Sequence, residues 1–412
     1  MSALDGMVVR RSTTAQQVAD GLSDRILAGA FPPGDRLRES AIAAELKVAR
    51  NTVREAVRIL ELSGLVRYEV NRGAVVISPT AQSVDSEAAG KVIVVGGAAI
   101  DHIWRVRSIP EVATSNRAMT YIRAPGGKGV SQAVAAAHLD LNVRLIAALT
   151  DNEEGKEIES HLETEGVDTS LLKRVESQGE EREKLMMPAT GIFELPAGNS
   201  AAAVWRDDVV ELDVATIDRH AGALKSCDVL LLTFELPQSV LRHTLSLVNS
   251  AEKRPVVIVT PGQPYGDGHL ISPVLKYVDY LVAHMWELEG FAFSEDAKYD
   301  PQLLSESLFS LGLRSLCLLG DLGGTIYERG KPREMIPVPY SLFKEVSITR
   351  DSFCAALAAR LIEDRSLTGD KIRWAAAAMA SFADSYHQGA SHPRRETVDE
   401  KYRQFANTTD AG

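Results

Sequence analysis

Residues 48–66, VARNTVREAVRILELSGLV, decide how the first part of this chain is interpreted. Apolar residues recur there at positions i, i+3, i+4 and i+7, which predicts one buried stripe along an α-helix. These residues are Val53, Ala56, Val57 and Leu60. A ridge of arginines runs beside the stripe at every fourth position: Arg50, Arg54 and Arg58. Guanidinium groups suit phosphates and guanine edges, but charged ridges are also common on solvated helices. The segment alone leaves both interpretations open.

The flanking residues predict a small domain of three helices and a hairpin. Apolar spacing predicts helices over residues 18–26 and 39–46, and a tight turn at residues 47–49 leads into the arginine-bearing helix. Two β-type runs follow, residues 65–68 and 74–77, and the loop between them carries an arginine. Helices and hairpin in this order predict a winged helix-turn-helix.

Residues 15–78 resemble the DNA-binding domain of GntR-type bacterial transcription regulators. The resemblance is carried by PGDRL, by the helix pattern VxRxxVREAxRxLExxGL, and by NRG. It implies a homodimer on a double-stranded DNA operator. The residues that it places at the DNA are Arg36, Arg50, Asn51, Thr52, Arg54, Arg72 and Gly73. Two departures from the family are Ala49, which replaces a capping serine, and Asn51–Thr52, which replaces Thr-Pro.

Length and composition indicate a globular protein with more than one domain. The chain has 412 residues, of which 45% are hydrophobic and 25% charged, and this length exceeds one typical core. Its three cysteines are far apart and unpaired in spacing, which argues against a disulfide framework or a zinc site. The chain has no signal-peptide core and no run near the ~18 apolar residues of a membrane span. These features predict a cytoplasmic protein.

The charge is distributed unevenly along the chain. Residues 1–80 carry eleven Lys and Arg against nine Asp and Glu, a balance of +2, whereas the remaining residues carry −13. An acidic body would repel nucleic acid, so any DNA contact is expected to be confined to the front segment.

A polar linker at residues 79–91 separates the front segment from the body of the chain. The body opens with VIVVGG, and further apolar runs alternate with helical patterns. The runs lie at residues 143–149, 229–234, 256–260, 280–282 and 315–319. This alternation predicts an α/β fold of βαβ units around a mainly parallel sheet with helices on both faces.

The glycine-rich loop PGGKG at residues 125–129 precedes a helix of small residues. Such a loop lets a ligand approach the backbone, although on its own it can be a simple turn. The whole body resembles the ribokinase-like (PfkB) family of sugar and nucleoside kinases. The phrases that carry this resemblance are VIVVGGAAID, APGGKGVSQAVAAAHL, LTDNEEGKEIESHLETEGVDTSLL, LLLTFELP, VDYLVAHMWELEGF, LCLLGDLGG and SITRDSFCAALAARL.

We therefore predict four segments. They are a winged helix at residues 10–78, a linker at 79–91, a ribokinase-like domain at 92–395 and a polar, frayed tail at 396–412.

The resemblance to PfkB kinases implies roles for individual residues. Asp351 would be the base that takes the proton from a sugar hydroxyl, and Glu287 would be linked to the Mg²⁺ that accompanies ATP. The sugar pocket would contain Asp101, Gly126, Gly127, Lys128 and Glu235, while Gly320 and Gly323 would lie beside the nucleotide. Each polar residue also has an ordinary alternative: Asp351 as a helix N-cap, and the others as turn or surface residues.

Departures from the PfkB motifs fall mainly on the phosphoryl-transfer side. The family's GAGD motif reads Ile-Thr-Arg-Asp at residues 348–351, so both glycines of the anion hole are replaced. Losing one oxyanion donor costs on the order of 10²–10³ in rate, although Arg350 could supply charge instead. His284, Ala99 and Ser131 each stand where the family has asparagine.

Three functions are consistent with these motifs. The favoured hypothesis is a DNA-binding transcription regulator whose degenerate kinase domain, a pseudokinase, senses a sugar, nucleoside or related metabolite. The alternative is an active ATP-dependent phosphotransferase with an alcohol acceptor, fused to a DNA-binding module and needing ATP and Mg²⁺. A kinase whose front domain only dimerises is weaker, because the DNA-facing arginines are retained.

Overall fold

The computed structural model describes residues 15–27, 30–32, 34–62, 66–69, 73–76, 90–176, 185–195, 200–206, 209–261, 272–320, 323–337, 349–386 and 391–409. The chain divides after residue 87 into two units, which are treated separately below. Within the described residues, no helix combines the length and apolar character that a membrane crossing requires.

The first unit is a winged helix-turn-helix, as the sequence predicts. Its elements are α1 (Ala15–Leu27), α2 (Glu39–Leu46), α3 (Arg50–Leu62), β1 (Val66–Glu69) and β2 (Gly73–Val76). The two strands form an antiparallel hairpin and lie within one residue of the predicted runs. The apolar stripe of α3 is fully buried against α1, which explains why a segment this short holds together.

The turn between α2 and α3 begins with a non-glycine residue in the left-handed conformation. Lys47 adopts the left-handed conformation with φ 55°, and its backbone N–H donates to the carbonyl of Ala43. This αL cap ends α2 and redirects the chain so that α3 begins at Arg50. The arginine ridge thereby lies on the outer surface of the three-helix unit.

The second unit contains fourteen described strands. They are β3 (Lys91–Val95), β4 (Ala99–Arg105), β5 (Thr120–Gly126), β6 (Asn142–Ile146), β7 (Ala148–Thr150), β8 (Lys173–Val175), β9 (Ala189–Glu194), β10 (Ser200–Trp205), β11 (Val229–Thr233), β12 (Val256–Thr260), β13 (Tyr280–Ala283), β14 (Ser315–Gly320), β15 (Gly323–Glu328) and β16 (Glu334–Pro337).

An eight-stranded sheet with the order β16-β15-β14-β13-β12-β11-β3-β6 forms the centre of this unit. Strands β6, β3 and β11 to β14 are parallel, and β15 and β16 are antiparallel at one edge. The mainly parallel α/β prediction is therefore confirmed. The parallel strands of this sheet consist mainly of apolar residues because both of their faces are buried.

A second sheet of four strands, with the order β10-β9-β4-β5, is absent from the sequence prediction. Its strands mix polar and apolar residues, and β5 even contains Pro125, so they lack the apolar signature of the central strands. The predicted run at residues 143–149 also divides into two: β6 joins the central sheet, whereas β7 pairs with β8 in a separate ribbon.

The second unit also contains ten described α-helices, of which the last three follow the final strand. They are α4 (Lys128–Ala137), α5 (Glu153–Thr164), α6 (Val214–Arg219), α7 (Ala221–Ser226), α8 (Gln238–Asn249), α9 (Ser272–Leu275), α10 (Pro301–Ser310), α11 (Thr349–Glu363), α12 (Gly369–Tyr386) and α13 (Arg395–Thr409), with 3₁₀ helices at Met285–Phe291 and Asp296–Lys298. Helices α4 and α11 pack against each other and against β11, which brings their N-terminal turns together.

The predicted frayed tail is wrong, because α13 is an ordered helix that packs on α12. Val398 and Phe405 are buried and Tyr402 is half-buried, so these residues form an apolar stripe at helical spacing. The indole Nε1–H of Trp374 donates to the Asp399 carboxylate over 2.7 Å, which fixes the helix further. The many polar residues of this segment conceal the stripe in the sequence.

Candidate functional site

Three of the predicted DNA-contacting residues of the first unit, Arg36, Arg50 and Arg54, are exposed. Arg50 and Arg54 begin α3, with 63% and 49% of their side chains exposed, and each pairs with Glu39 of α2 at 3.7 and 3.6 Å. Arg36 forms a β-bridge with Val75 of the hairpin, so it lies beside the wing. Glu39 was not singled out from the sequence, although it orients both helix arginines.

The remaining predicted DNA contacts lie nearby or outside the described residues. Asn51 is exposed and Thr52 is half-buried in the first turn of α3. Gly73 begins strand β2, whereas Arg72 lies outside the described part of the chain. The assignment of all these residues to DNA stays a prediction.

The predicted sugar-binding residues of the second unit come together where the four-stranded sheet meets α4. Asp101 lies on β4 and is only 7% exposed. A Cβ atom on Gly126, at the end of β5, would lie 2.0 Å from Asp101 Oδ2. The carboxylate therefore occupies the space of the missing side chain, and this position needs glycine.

Burial dominates the electrostatics of Asp101. Desolvation raises the pKa of its carboxyl to about 6, while hydrogen bonds from Thr190 and from the Gly127 backbone lower it and the nearby Glu235 charge raises it further. The positive charge of Lys128 acts in the opposite direction. A carboxyl with this pKa can accept or donate a hydrogen bond near neutral pH, which suits recognition of a hydroxyl group.

The glycine loop is tightly packed backbone rather than a simple surface turn. Gly127 has φ 90°, and a Cβ atom there would lie 2.8 Å from the carbonyl oxygen of Gly97. A Cβ on Gly96 would lie 2.7 Å from Gly129 Cα. Helix α4 begins directly after this contact, so the buried Lys128 occupies its first turn beside Asp101.

An arginine that the sequence did not suggest joins this group. Arg206, at the end of β10, has its guanidinium 3.0 Å from the Glu235 carboxylate and also donates to the Glu235 carbonyl over 2.8 Å. Glu235 follows β11, and its side chain is largely buried. The contact therefore joins the four-stranded sheet to the carboxyl end of a central strand, which is a usual place for ligands in α/β folds.

Asp351 lies in the first turn of α11 and is fully buried. The helix begins at Thr349, so Asp351 is not its N-cap. Gln132 of α4 donates its amide Nε2–H to Asp351 Oδ1 over 3.0 Å. Burial raises the pKa of the Asp351 carboxyl, and the charge of Lys128 opposes this shift. The structure thus brings the predicted base close to the predicted sugar pocket.

Arg350 and Glu287 form a buried ion pair. The Glu287 side chain is 0% exposed, and the Arg350 guanidinium donates directly to its Oε2 atom. The backbone N–H of His284 donates to the same oxygen over 2.9 Å. The pair joins the 3₁₀ helix after β13 to the N-terminus of α11. Arg350 is therefore engaged with protein and does not face the pocket as a free cation.

The Mg²⁺ that PfkB-type chemistry implies does not fit these residues. The described residues contain no group of three or more His, Cys, Asp or Glu side chains that could hold a metal ion. Mg²⁺ prefers carboxylates that face water and substrate phosphates, whereas Glu287 is enclosed and neutralised by a guanidinium. Its Oε1 atom has no hydrogen-bond partner within the described part of the chain, and the charge beside it would repel a second cation.

The predicted nucleotide-contacting glycines are register partners across the antiparallel β14–β15 pair, Gly320 opposite Gly323. A Cβ atom on Gly320 would meet nothing within 4 Å, so close packing does not explain this glycine. The role of both residues stays a prediction.

Family models match both units. Residues 14–76 match bacterial regulatory proteins of the gntR family, and residues 89–393 match the pfkB family of carbohydrate kinases. Over 310 residues the chain is 23% identical to the ribokinase of Haemophilus influenzae, covering 74% of this chain and 96% of that enzyme. Over 74 residues it is 40% identical to the gluconate operon transcriptional repressor of Bacillus subtilis, covering 18% of this chain and 30% of the repressor.

Solved structures agree with the fold of the second unit. The ribokinase of Giardia lamblia matches with a TM-score of 0.65 and 19% identity, covering 77% of this chain and 100% of that one. Arabidopsis thaliana ribokinase complexed with ribose and ATP matches with a TM-score of 0.59 and 20% identity, covering 76% and 99%. The chain therefore belongs to the pfkB family of carbohydrate kinases through residues 89–393 and carries a gntR-family regulatory domain at residues 14–76.

Proposed function

We propose that this protein is a DNA-binding transcription regulator whose PfkB-type domain binds a sugar, nucleoside or related metabolite without transferring phosphate to it. The observation that carries this proposal is the buried pair between Arg350 and Glu287. In the family motifs these positions belong to the anion hole and to the metal-linked carboxylate. Here each of the two side chains neutralises the other instead of meeting ATP.

The ligand side of the site retains the groups that bind hydroxyls. Asp101, Lys128 and Glu235 stay close together around the glycine loop, and Asp351 lies nearby. Carboxylates and a lysine at this spacing give a polyhydroxylated ligand both acceptors and a donor. Binding is thus supported where phosphoryl transfer is not.

Ligand binding would alter operator affinity by favouring one arrangement of the DNA-binding units over another. A ligand can shift such an equilibrium only by its difference in affinity for the two states. The exposed arginines of α3, Arg50 and Arg54, support the DNA-binding role. The net charge of −13 after residue 80 favours confining DNA contact to the front unit.

We further propose a homodimer, which suits a palindromic operator. An aromatic row crosses the four-stranded sheet: Tyr121, Trp104 and Phe193 are register partners, and adjacent ring centroids lie 5.5 Å apart. Tyr121 is 53% exposed. A partly exposed aromatic face of this kind is typical of surfaces that bind another protein chain.

The test is an operator titration of the full-length protein with and without a panel of sugars, nucleosides and ATP. We expect one ligand to change operator affinity at least about fivefold, the lower end of typical coupling energies. The variant Asp101→Ala should remove the ligand response but keep basal DNA affinity, whereas Arg54→Ala should weaken DNA binding with or without ligand. Affinity that no compound in the panel changes would contradict the sensor role.

An active kinase is the second candidate, because Asp351 is retained, buried and held by Gln132 beside Lys128. This function predicts ATP turnover with a sugar or nucleoside in the presence of Mg²⁺, lost in Asp351→Asn. Clear ligand binding without turnover over the same panel would decide for the regulator.

A further inference from the structure

A fixed histidine lies behind Asp351, outside the residues that the family motifs assign. His392 is 9% exposed, and both of its ring nitrogens contact serine hydroxyls. Nδ1 lies 2.7 Å from Ser352 Oγ, and Nε2 lies 3.1 Å from Ser131 Oγ. The ring also stacks on Phe382, with centroids 4.3 Å apart. An imidazole with both nitrogens engaged and one face covered has a defined orientation.

The histidine connects three segments that are distant in sequence. Ser131 belongs to α4 and Ser352 to α11, while His392 lies just before α13. Its backbone is held as well, because the His138 ring Nδ1 donates to the His392 carbonyl over 2.6 Å. The Arg395 N–H donates to the His138 carbonyl over 3.2 Å. The start of the C-terminal helix is therefore tied to both helices that carry the site.

The donors and acceptors of the hydrogen bonds around His392 can be assigned by counting the protons that each group has to donate. The Ser131 hydroxyl has one proton to donate, and it stabilises the ionised form of the Asp351 carboxylate, which is a stronger acceptor than a neutral imidazole nitrogen. With the serine proton directed to Asp351, the serine oxygen faces His392 as an acceptor, and the Nε2 atom carries a proton. When the ring is neutral, Nδ1 is the acceptor for the Ser352 hydroxyl. This tautomer is assigned from the network of partners.

We propose that His392 is a positioning residue for the ligand pocket. By donating to Ser131, it holds the serine hydroxyl in the orientation that donates to Asp351, and the carboxylate stays an acceptor for a hydroxyl of the bound ligand. Burial works against the ionised form of Asp351. The charge of Lys128 and the Gln132 amide oppose this effect most, followed by the charge of Arg350 and the Ser131 hydroxyl.

The proposal also gives Ser131 a role. This residue stands where the family has asparagine, and its short hydroxyl is what links Asp351 to His392. Only the last step, the ligand hydroxyl at Asp351, rests on the proposed function. The donor chain itself can be measured on the ligand-free protein.

The first experiment records long-range ¹H–¹⁵N spectra of the full-length protein labelled with ¹⁵N-histidine, with His392→Gln identifying the signals. We expect the neutral ring to be the Nε2–H tautomer. Ser131→Ala removes the acceptor of that proton, so the ring should move towards the Nδ1–H form, which can donate to Ser352. As a matched control, Ser305→Ala removes a buried serine on α10 and should change neither ¹⁵N shift.

An Nδ1–H tautomer in the unmodified protein would overturn the proposal. Ring ¹⁵N shifts that stay unchanged in Ser131→Ala would overturn it as well. Both readouts are independent of whether any ligand is known, so they separate this inference from the proposed function.

The second experiment measures D-ribose binding by calorimetry for two replacements of the histidine. Gln can place an amide N–H near the position of Nε2, whereas Leu has similar bulk but no donor. We expect His392→Gln to bind within about threefold of the unmodified protein and His392→Leu to bind about tenfold more weakly, which corresponds to one hydrogen bond. Ser131→Ala removes the same hydrogen bond and replaces the Leu variant if that variant does not unfold cooperatively.

Equal affinities of the Leu and Gln variants would overturn the positioning role. An unmodified protein that does not bind ribose would count against the sugar class of the proposed function, and the NMR result would then decide the donor chain alone.

Discussion

The two sides of the candidate site balance their charges in different ways. On the ligand side, Glu235 pairs with an arginine that is 30% exposed, Arg206, so a ligand can compete for either partner. On the phosphoryl-transfer side, Glu287 and Arg350 are enclosed, and neither can leave without stranding a charge in the interior. Under the proposed function, the domain keeps an adaptable binding surface, while the residues of its transfer side form a fixed structural contact.

The largest expected effect comes from breaking the enclosed pair. Arg350→Met leaves the Glu287 carboxylate buried and unpaired, and we expect it to lower the free energy of unfolding by roughly 3–5 kcal/mol. Urea unfolding followed by circular dichroism measures the change. If the variant is as stable as the unmodified protein, the transfer side is not held by this pair, and the contrast with the ligand side fails.

A double variant separates the ion pair from simple packing. Glu287→Gln combined with Arg350→Met removes both charges but keeps an oxygen for the His284 N–H. Replacing both members of a buried pair is often neutral, so stability should return to within about 1 kcal/mol of the original. A double variant as unstable as Arg350→Met alone would mean that lost packing, not the unpaired charge, causes the effect.

The pH dependence of stability tests the environment of Asp101 on the ligand side. Burial raises the pKa of Asp101 from the ordinary value of 3.8 to about 6 in the folded state, so the folded protein holds the proton more tightly than the unfolded chain. Stability from this group is therefore complete below pH 4 and is lost as the pH rises through 6. The difference between the folded and unfolded pKa values corresponds to a loss of roughly 3 kcal/mol in stability at pH 7.

Asp101→Asn imitates the protonated carboxyl and should remove this loss. We expect the difference in unfolding free energy between variant and unmodified protein to grow from near zero at pH 4 to roughly 3 kcal/mol at pH 7, in favour of the variant. Because the variant and the unmodified protein share all other carboxyls, their difference cancels the contributions of those groups to stability. One such group is Asp213, whose pKa is lowered to about 2. A difference that does not vary with pH would contradict the assigned environment.

Replacing Gly126 tests whether the ligand side is as closely packed as it looks. Gly126→Ala places a methyl group where Asp101 Oδ2 now lies, at a separation of 2.0 Å, so the carboxylate must move. Overpacking of this kind costs about 1–3 kcal/mol, and the displaced carboxylate should also weaken ligand binding. Combining Gly126→Ala with Asp101→Ser makes room for the methyl group, so the double variant should regain stability. A double variant that stays unstable would mean that the strain does not come from the contact with Asp101.

The ligand side could be predicted from sequence far better than the transfer side. Consecutive glycines at residues 126 and 127 signal close backbone approach, and the structure shows that approach directly. The Arg350–Glu287 contact spans 63 positions, and each residue reads separately as a departure or a remnant of the family motif. Only the packing of α11 beside the segment after β13 reveals that they compensate each other.

The other features that were not predicted from the sequence were missed for similar physical reasons. Arg206 and His392 are single residues that act through long-range contacts, so no periodicity marks them. The four-stranded sheet escapes detection because its strands mix polar with apolar residues and several of them are only partly buried. By contrast, the parallel central strands and the winged helix follow local apolar patterns, and most of their predicted bounds lie within one or two residues of the observed ones. The exceptions are the start of α1 and the run at residues 143–149, and the antiparallel strands β15 and β16 were not predicted.

The smallest expected effect comes from the partly exposed pair and serves as the counterpart of Arg350→Met. Arg206→Gln removes the charge that faces Glu235 but keeps an amide that can donate to the Glu235 carbonyl. Exposed ion pairs contribute at most about 1 kcal/mol and are screened by salt. We expect a loss of that size or less in urea unfolding at low ionic strength, disappearing in about 1 M NaCl, where the loss in Arg350→Met should persist because water and ions do not reach the buried pair. If Arg206→Gln instead lowers the free energy of unfolding as much as Arg350→Met at both salt concentrations, both ion pairs are structural. The ligand side would then not be more adaptable than the transfer side.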